Sequence, residues 1–364
     1  MKRLYSIDAL RGFDMLLIMG FSGVLMGICG LFPNGSESWL FQQMEHAEWN
    51  GFHIMDTVFP TFLFVAGLSW PFSYANKVSK GVSRKKIYLK ILERFVILTI
   101  FSFFVNGLGS TWDLKNLRYC GVLARIGFCW AVSAVLYMNF SRKTREIIAA
   151  SILVGYYLLL RFVPVPGAEG LDPFSLEGNL VGWIDRCITP GSLYLGTFDP
   201  EGLLSNLPAI VTAMLGVLTG EMLRDQSLSD KSRCLRMFAT AAGMLVVGLV
   251  WSRWFPVNKN LWSSTFVLVA GAYALALFCL FYLIIDVLGF KKWAFPFKVI
   301  GMNSITIYMA IRMIGADQPV HFLFGGALKM CSEPLSSLVY SICYTLICWV
   351  FLYFLYKKNI FLKV

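Results

Sequence analysis

Ten times along its length the sequence runs apolar for about twenty residues, and this recurrence limits the fold more than any motif does. The runs lie at roughly 8–31, 57–75, 91–109, 118–138, 147–163, 203–223, 237–254, 263–287, 297–314 and 336–356. A helix crossing the hydrocarbon core of a bilayer needs about twenty such residues, whereas a barrel strand needs about ten, with alternation. The expectation is an all-α, polytopic transmembrane helix bundle of about ten spans, with residues 1–364 forming one domain. Composition agrees. Only 15% of the residues are charged, against about 25% in soluble domains, and the mean hydropathy is +0.65. No small-residue cleavage site follows the basic start Met1–Lys2–Arg3, so the first run reads as a retained span.

An even number of spans puts both termini on one side, and the cations say which. With the N-terminus inside, the inner segments hold 21 lysines and arginines and the outer segments hold 7. Lys and Arg gather on the cytoplasmic side of membrane proteins, so both termini are expected to be cytoplasmic, in a multi-pass protein of the cytoplasmic (inner) membrane. The same bias accounts for the net charge of +11 without a nucleic-acid partner. Two long outer loops result, at 32–56 and 164–202. Of the nine cysteines, only Cys187 and Cys331 fall in outer loops, and a disulfide between them is left open.

The first outer loop carries two of the three histidines. "FQQMEHAEWNGFHIMDTVFP" places Glu45, His46, Trp49, Asn50, His53 and Asp56 at the mouth of the second span. Imidazole is the side chain best poised to take a proton near neutral pH, and carboxylates around it can orient it. A metal reading needs three or four ligands, and two histidines seven residues apart in a loop are not distinctive, so no metal is expected. Charges also sit inside apolar runs: Asp8, Arg11 and Asp14 in the first and Arg125 in "GVLARIGFCW". An arginine at that depth is costly unless a cavity or partner compensates it. Asp8 and Arg11 can satisfy each other at i,i+3 spacing, whereas Arg125 has no acid in its own segment. "FDPEGLLSNLPAI" offers Asp199 and Glu201, and "GWIDRC" offers Asp185. "GMNSITIYM" buries Asn303 and Ser304, residue types that often hold helices together in membranes.

These pieces, in this order, resemble one family. "RLYSIDALRGFDML", "HAEWNG…DTVFPTFLFVAG", "GVLARIG", "GWIDRCITPGSLY…FDPEGLLSNLPAI", "PVNKNLW" and "GMNSITIYM" are similar to stretches of heparan-α-glucosaminide N-acetyltransferase and its bacterial relatives. The resemblance implies transmembrane acetylation, with acetyl-CoA taken on the cytoplasmic side and acetyl delivered to a glucosamine-type amine on the far side. It implies that His46, in the family's H-x-x-W-N-G stretch, is catalytic. The large N-terminal domain of the lysosomal enzyme has no counterpart in this sequence, which points to an acceptor smaller than polymeric heparan. Ser22, followed by Gly23, stands where that enzyme has an Asn late in the first conserved span, and is expected to position the thioester.

The chemistry then assigns roles. His46 takes a proton from the sugar ammonium, held by Asp56 or Glu45, and Asn50 donates to the tetrahedral oxyanion. Glu45, Asp185, Asp199 and Glu201 bind the sugar, with Trp49 or Trp183 stacked on its ring. Arg11, Arg125, Asn303 and Ser304 line the acetyl-CoA path, Arg125 taking a phosphate by its guanidinium fork. Direct transfer is favoured over an acetyl-His46 intermediate. The partners are acetyl-CoA, a small amino sugar or glycan end, and the lipid bilayer, and a homodimer is left open. An amino-sugar transporter and an O-acyltransferase of a surface glycan are the rival readings.

Overall fold

The computed structural model describes residues 4–362, apart from the side chain of Thr111. Lys2, Arg3 and Lys363, counted in the charge asymmetry, lie outside the described residues. The longer helices are α1 (Tyr5–Gly30), α2 (Ile54–Ser79), α3 (Arg84–Val105), α4 (Val122–Asn139), α5 (Arg142–Phe162) and α6 (Leu180–Ile188). They continue with α7 (Asn206–Arg224), α8 (Asp230–Trp251), α9 (Ser264–Val287), α10 (Phe295–Met302), α11 (Ser304–Met313), α12 (Asp317–Leu328) and α13 (Glu333–Lys357). Extended pairing among the described residues is one antiparallel bridge, Arg118 to Gly191. The all-helical class therefore stands.

Seven of these helices are long and apolar enough to cross a membrane: α1, α2, α4, α7, α8, α9 and α13. The other three expected spans take different forms. Those at 91–109 and 147–163 belong to α3 and α5, whose first turns are basic. The one at 297–314 is broken at Asn303 into α10 and α11. Local sequence explains where several helices begin. Ser83, Ser141 and Ser229 each cap the helix that follows, their side chains accepting from Lys86, Thr144 and Ser232 N–H. α1 has no such local cap. Its Tyr5 and Ser6 N–H groups donate instead to the Asp286 carboxylate, at 3.2 and 3.0 Å.

The chain divides into two compact units. The first takes the chain up to Ala47, then His53–Val58, and the chain from Leu277 onward; the second takes Glu48–Phe52 and Phe59–Ala276. Each contains a pair of helices packed backbone to backbone. In the first unit, a Cβ on Gly12 of α1 would lie 1.7 Å from the Phe297 carbonyl oxygen, and one on Gly301 of α10 would lie 1.9 Å from that of Asp8. In the second, Gly67 of α2 and Gly216 of α7 play the same reciprocal part against Ala213 and Phe64. Apolar burial gives little drive between helices in lipid, so such close approach through small residues is how they associate. α1 itself is irregular: Leu17–Phe21 forms a π-helical turn, and Gly20 adopts φ 119°. The nine cysteines are free thiols, Cys187 and Cys331 included.

Candidate functional site

In the first unit the residues ahead of α2 fold back on one buried carboxylate. Asp56, fully buried, accepts from His46 Nδ1 at 2.8 Å, His53 N–H at 3.0 Å and Ala47 N–H at 3.3 Å. The turn Ile54–Thr57 creates this arrangement, because it carries Asp56 three residues past His53, from where the carboxylate reaches back to the His53 N–H. Two further bonds close the loop: His53 Nδ1 donates to the Glu45 carbonyl at 3.1 Å, and Ile54 N–H to Gln43 Oε1 at 3.0 Å. A carboxylate can only accept, so Nδ1 of His46 carries its proton and Nε2 presents a lone pair. The His46 side chain is 54% exposed while that of Asp56 is inaccessible. This is an oriented base open to a substrate. Of the two acids offered by the sequence, Asp56 holds the imidazole. Glu45 is exposed, and its main-chain carbonyl steadies His53 instead.

The remaining first-unit candidates are mostly occupied. Arg11 pairs with Asp8 at 3.6 Å. Ser22 Oγ donates to the Leu17 carbonyl within the irregular stretch of α1. Asn303 donates to the Ile360 carbonyl at 2.9 Å and accepts from Leu362 N–H at 3.3 Å, so it ties down the chain's last described residues. Ser304 is buried beside it. The Asn303 amide thus bonds backbone beyond the end of α13, not another helix.

In the second unit the Trp-Asn-Gly stretch is strapped to the "PVNKNLW" segment. Gly51 N–H donates to the Val257 carbonyl at 2.9 Å, and Asn258 Nδ2 donates to Asn50 Oδ1 at 3.0 Å. Asn258 is itself buried and fixed by Ser263 Oγ and Leu261 N–H. With its oxygen held, exposed Asn50 presents its NH2 as a donor. Trp49 donates from Nε1 to the Phe174 carbonyl at 2.8 Å and meets Phe198 edge-on at 5.3 Å, so it anchors the loop.

The acidic candidates gather ahead of α7. Arg118 binds both oxygens of Asp199 at 2.7 Å, contacts Glu201, and lies over the Tyr194 ring. Asp199 also accepts from Tyr194 and Glu201 N–H. Four donors fill its lone pairs, which leaves no acceptor for a sugar; its part is to set Arg118 and Glu201. Arg118 went unremarked in the sequence except as one of seven outer cations, and their scarcity was the signal that could have raised it.

Asp185 is buried, accepts from Leu203 N–H at 2.8 Å, and has Oδ2 without a partner among the described residues. Burial pushes its carboxyl up to about 6, with Leu203 N–H and Arg125 holding it down and Asp199 raising it further. The unfolded carboxyl ionises near pH 4, so between pH 4 and 6 the folded state holds the extra proton. Stability contributed by that proton falls as pH rises through this window. Asp185→Asn is therefore expected to be more stable than wild type at pH 7, by about 3 kcal/mol, and indistinguishable below about pH 4. Thermal unfolding in detergent at the two pH values checks this.

Arg125 lies one turn into α4, 2% exposed, with Nη2 donating to the Gly202 carbonyl and Ser205 Oγ. Its Nε and Nη1 have no acceptor, and its guanidinium stands 5.0 Å from the centre of the Trp262 ring. The expectation that it takes a CoA phosphate from the cytoplasm turns on which membrane face this end of α4 meets. Arg125 sits at the end of the second unit that carries Asp185, Asp199 and Arg118, which on the topology read from the charges is the outer end.

A family profile described as a domain of unknown function, DUF5009, matches residues 3–182. The chain is 30% identical over 419 residues to the human (Homo sapiens) protein "Heparan-alpha-glucosaminide N-acetyltransferase", covering 100% of this chain and 60% of the relative. It is 29% identical over 420 residues to the mouse (Mus musculus) protein of that name, covering 100% of this chain and 61% of the relative. The chain thus spans about three fifths of the length of these relatives.

Proposed function

We propose that the chain, similar over its whole length to two heparan-α-glucosaminide N-acetyltransferases, moves acetyl from cytoplasmic acetyl-CoA to the amine of a glucosamine-type sugar at the outer face. The observation that carries this reading is the exposed His46 imidazole held by buried Asp56. The amine nitrogen attacks the thioester carbonyl carbon, forming the C–N bond as the C–S bond breaks. His46 Nε2 takes a proton from the nitrogen and yields it to the departing thiolate; the ammonium's other proton is released to water. The Asn50 NH2 donates to the oxyanion. Arg125, with two nitrogens uncommitted among the described residues, and Asp185, with one uncommitted oxygen, offer a buried donor and acceptor to sugar hydroxyls. Purified protein incubated with acetyl-CoA and glucosamine should yield N-acetylglucosamine by mass, with free CoA; absence of the product sinks the reading.

The reading requires His46 outside, about ten spans and both termini cytoplasmic. Ser36 lies in the same outer loop. Ser36→Cys in intact cells is expected to react with a membrane-impermeant maleimide. Labelling only after lysis would invert the topology.

A further inference from the structure

The end of the second unit away from Arg118 holds a second charged assembly, which the transfer chemistry leaves unused. Buried Trp70 of α2 and Trp130 of α4 meet edge-to-face at 5.3 Å. Tyr74 packs on Trp70 and on Tyr137 of α4. Over these rings lie two cations: Lys77 Nζ is 5.0 Å from the Trp70 ring centre, and the Arg94 guanidinium of α3 is 4.1 Å from that of Trp130. Lys77 Nζ also donates to Ser73 Oγ at 3.1 Å, and Lys90 and Arg94 add positive charge nearby. The indole N–H groups of Trp70 and Trp130 are both buried and have no acceptor among the described residues.

Orientation signals alone do not ask for this. Lys80, Lys85 and Lys86, on the same helix-to-helix connection, are exposed, as a topological charge needs to be. Lys77 and Arg94 are instead half-buried and lie back over buried aromatic rings, where like charges drawn together gain least from water. Clustered cations beside unmatched N–H donors and aromatic faces are the chemistry that receives a phosphorylated, purine-bearing ligand. Tyr137 and Arg125 are twelve residues apart on α4, about 18 Å of helix. A ligand whose phosphates rest at this end can therefore send an arm along α4 toward the other.

We propose that Lys77 and Arg94, framed by Trp70, Trp130 and Tyr74, bind the phosphates of the acyl donor. The proposal rests on the acetyl-CoA reading and moves the phosphate role from Arg125 to the opposite end of α4. An anionic lipid headgroup shares the same chemistry, so the test separates the two sources.

The protein is placed in nanodiscs of phosphatidylcholine alone, and CoA binding is measured by calorimetry. Lys77→Gln and Arg94→Gln are each expected to raise the Kd for CoA about tenfold, the scale of one lost charge-assisted contact. Lys85→Gln should leave it unchanged, and Arg94→Lys should recover part of the loss, which a misfolded variant does not do. If wild type binds CoA and both Gln variants bind it equally well, the site is elsewhere while the acetyl-CoA reading survives. If wild type binds no CoA, that reading itself fails. A parallel set in discs containing phosphatidylglycerol measures lipid retention. Selective retention lost in Arg94→Gln, with CoA affinity unaltered, assigns the cluster to lipid and overturns the proposal.

Discussion

Replacing His46 with alanine should lower acetyl transfer by about 10²–10⁴-fold, the usual cost of losing a general base, while leaving CoA affinity nearly unchanged. Asp56→Asn should lose a comparable factor for a different reason. The amide can turn its NH2 toward Nδ1, which forces the imidazole proton onto Nε2 and removes the lone pair the reaction needs. His53→Ala should be much milder, because the His53 ring only donates to the Glu45 carbonyl and its contact with Asp56 comes from the backbone. Steady-state rates with acetyl-CoA and glucosamine separate the three. Retention of more than a third of wild-type activity by His46→Ala would remove it from the chemistry. Labelled acetyl trapped on His46 without acceptor would replace the base by a nucleophile.

The second large effect is structural. Gly12→Ala places a methyl 1.7 Å from the Phe297 carbonyl oxygen, and Gly301→Ala places one 1.9 Å from that of Asp8. Neither neighbour is a side chain that can swing aside, so α1 and α10 must separate. Each substitution is expected to cost about 3 kcal/mol, the upper end of overpacking, seen as a fall in the unfolding midpoint in detergent. The double variant should cost less than the sum, since helices already parted by one methyl accommodate the second. Gly155→Ala in α5, where nothing lies within 4 Å, is the control and should be neutral. An unchanged midpoint for Gly12→Ala would contradict the direct backbone contact.

Hydropathy made the helical class legible because burial in lipid demands long apolar runs whatever the tertiary packing. Backbone irregularity leaves no such trace. The π turn around Gly20 and the break at Asn303 lie within runs that stay apolar on average, the Asn303–Ser304 pair included. The starts of α3 and α5 were missed in the other direction, because their first turns are basic and a hydropathy window registers only the apolar part of a helix. The candidate site divides by sequence distance. His46 and Asp56 are ten residues apart in one loop, and a histidine followed by carboxylates suggested their meeting. Arg118 reaches Asp199 across 81 residues and Asn258 reaches Asn50 across 208, which no local pattern encodes. The burial of Arg125 was legible from the sequence, whereas its place near Asp185 and Ser205, residues sixty to eighty positions away, was not.

The remote cap on α1 bears on how the chain is made. A membrane protein is threaded into the bilayer from its N-terminus, yet the first helix finds acceptors for its opening N–H groups only at Asp286, and its closest helix neighbour only at α10. Until some three hundred residues have left the ribosome, α1 waits in lipid with its start unsealed and its glycine face uncovered. Glu48–Phe52 and Phe59–Ala276, nearly continuous in the chain, can assemble in the meantime. A helix made before most of the bundle is thus among the last to be finished, and it is through α1 that the nascent protein is most exposed to quality-control proteases.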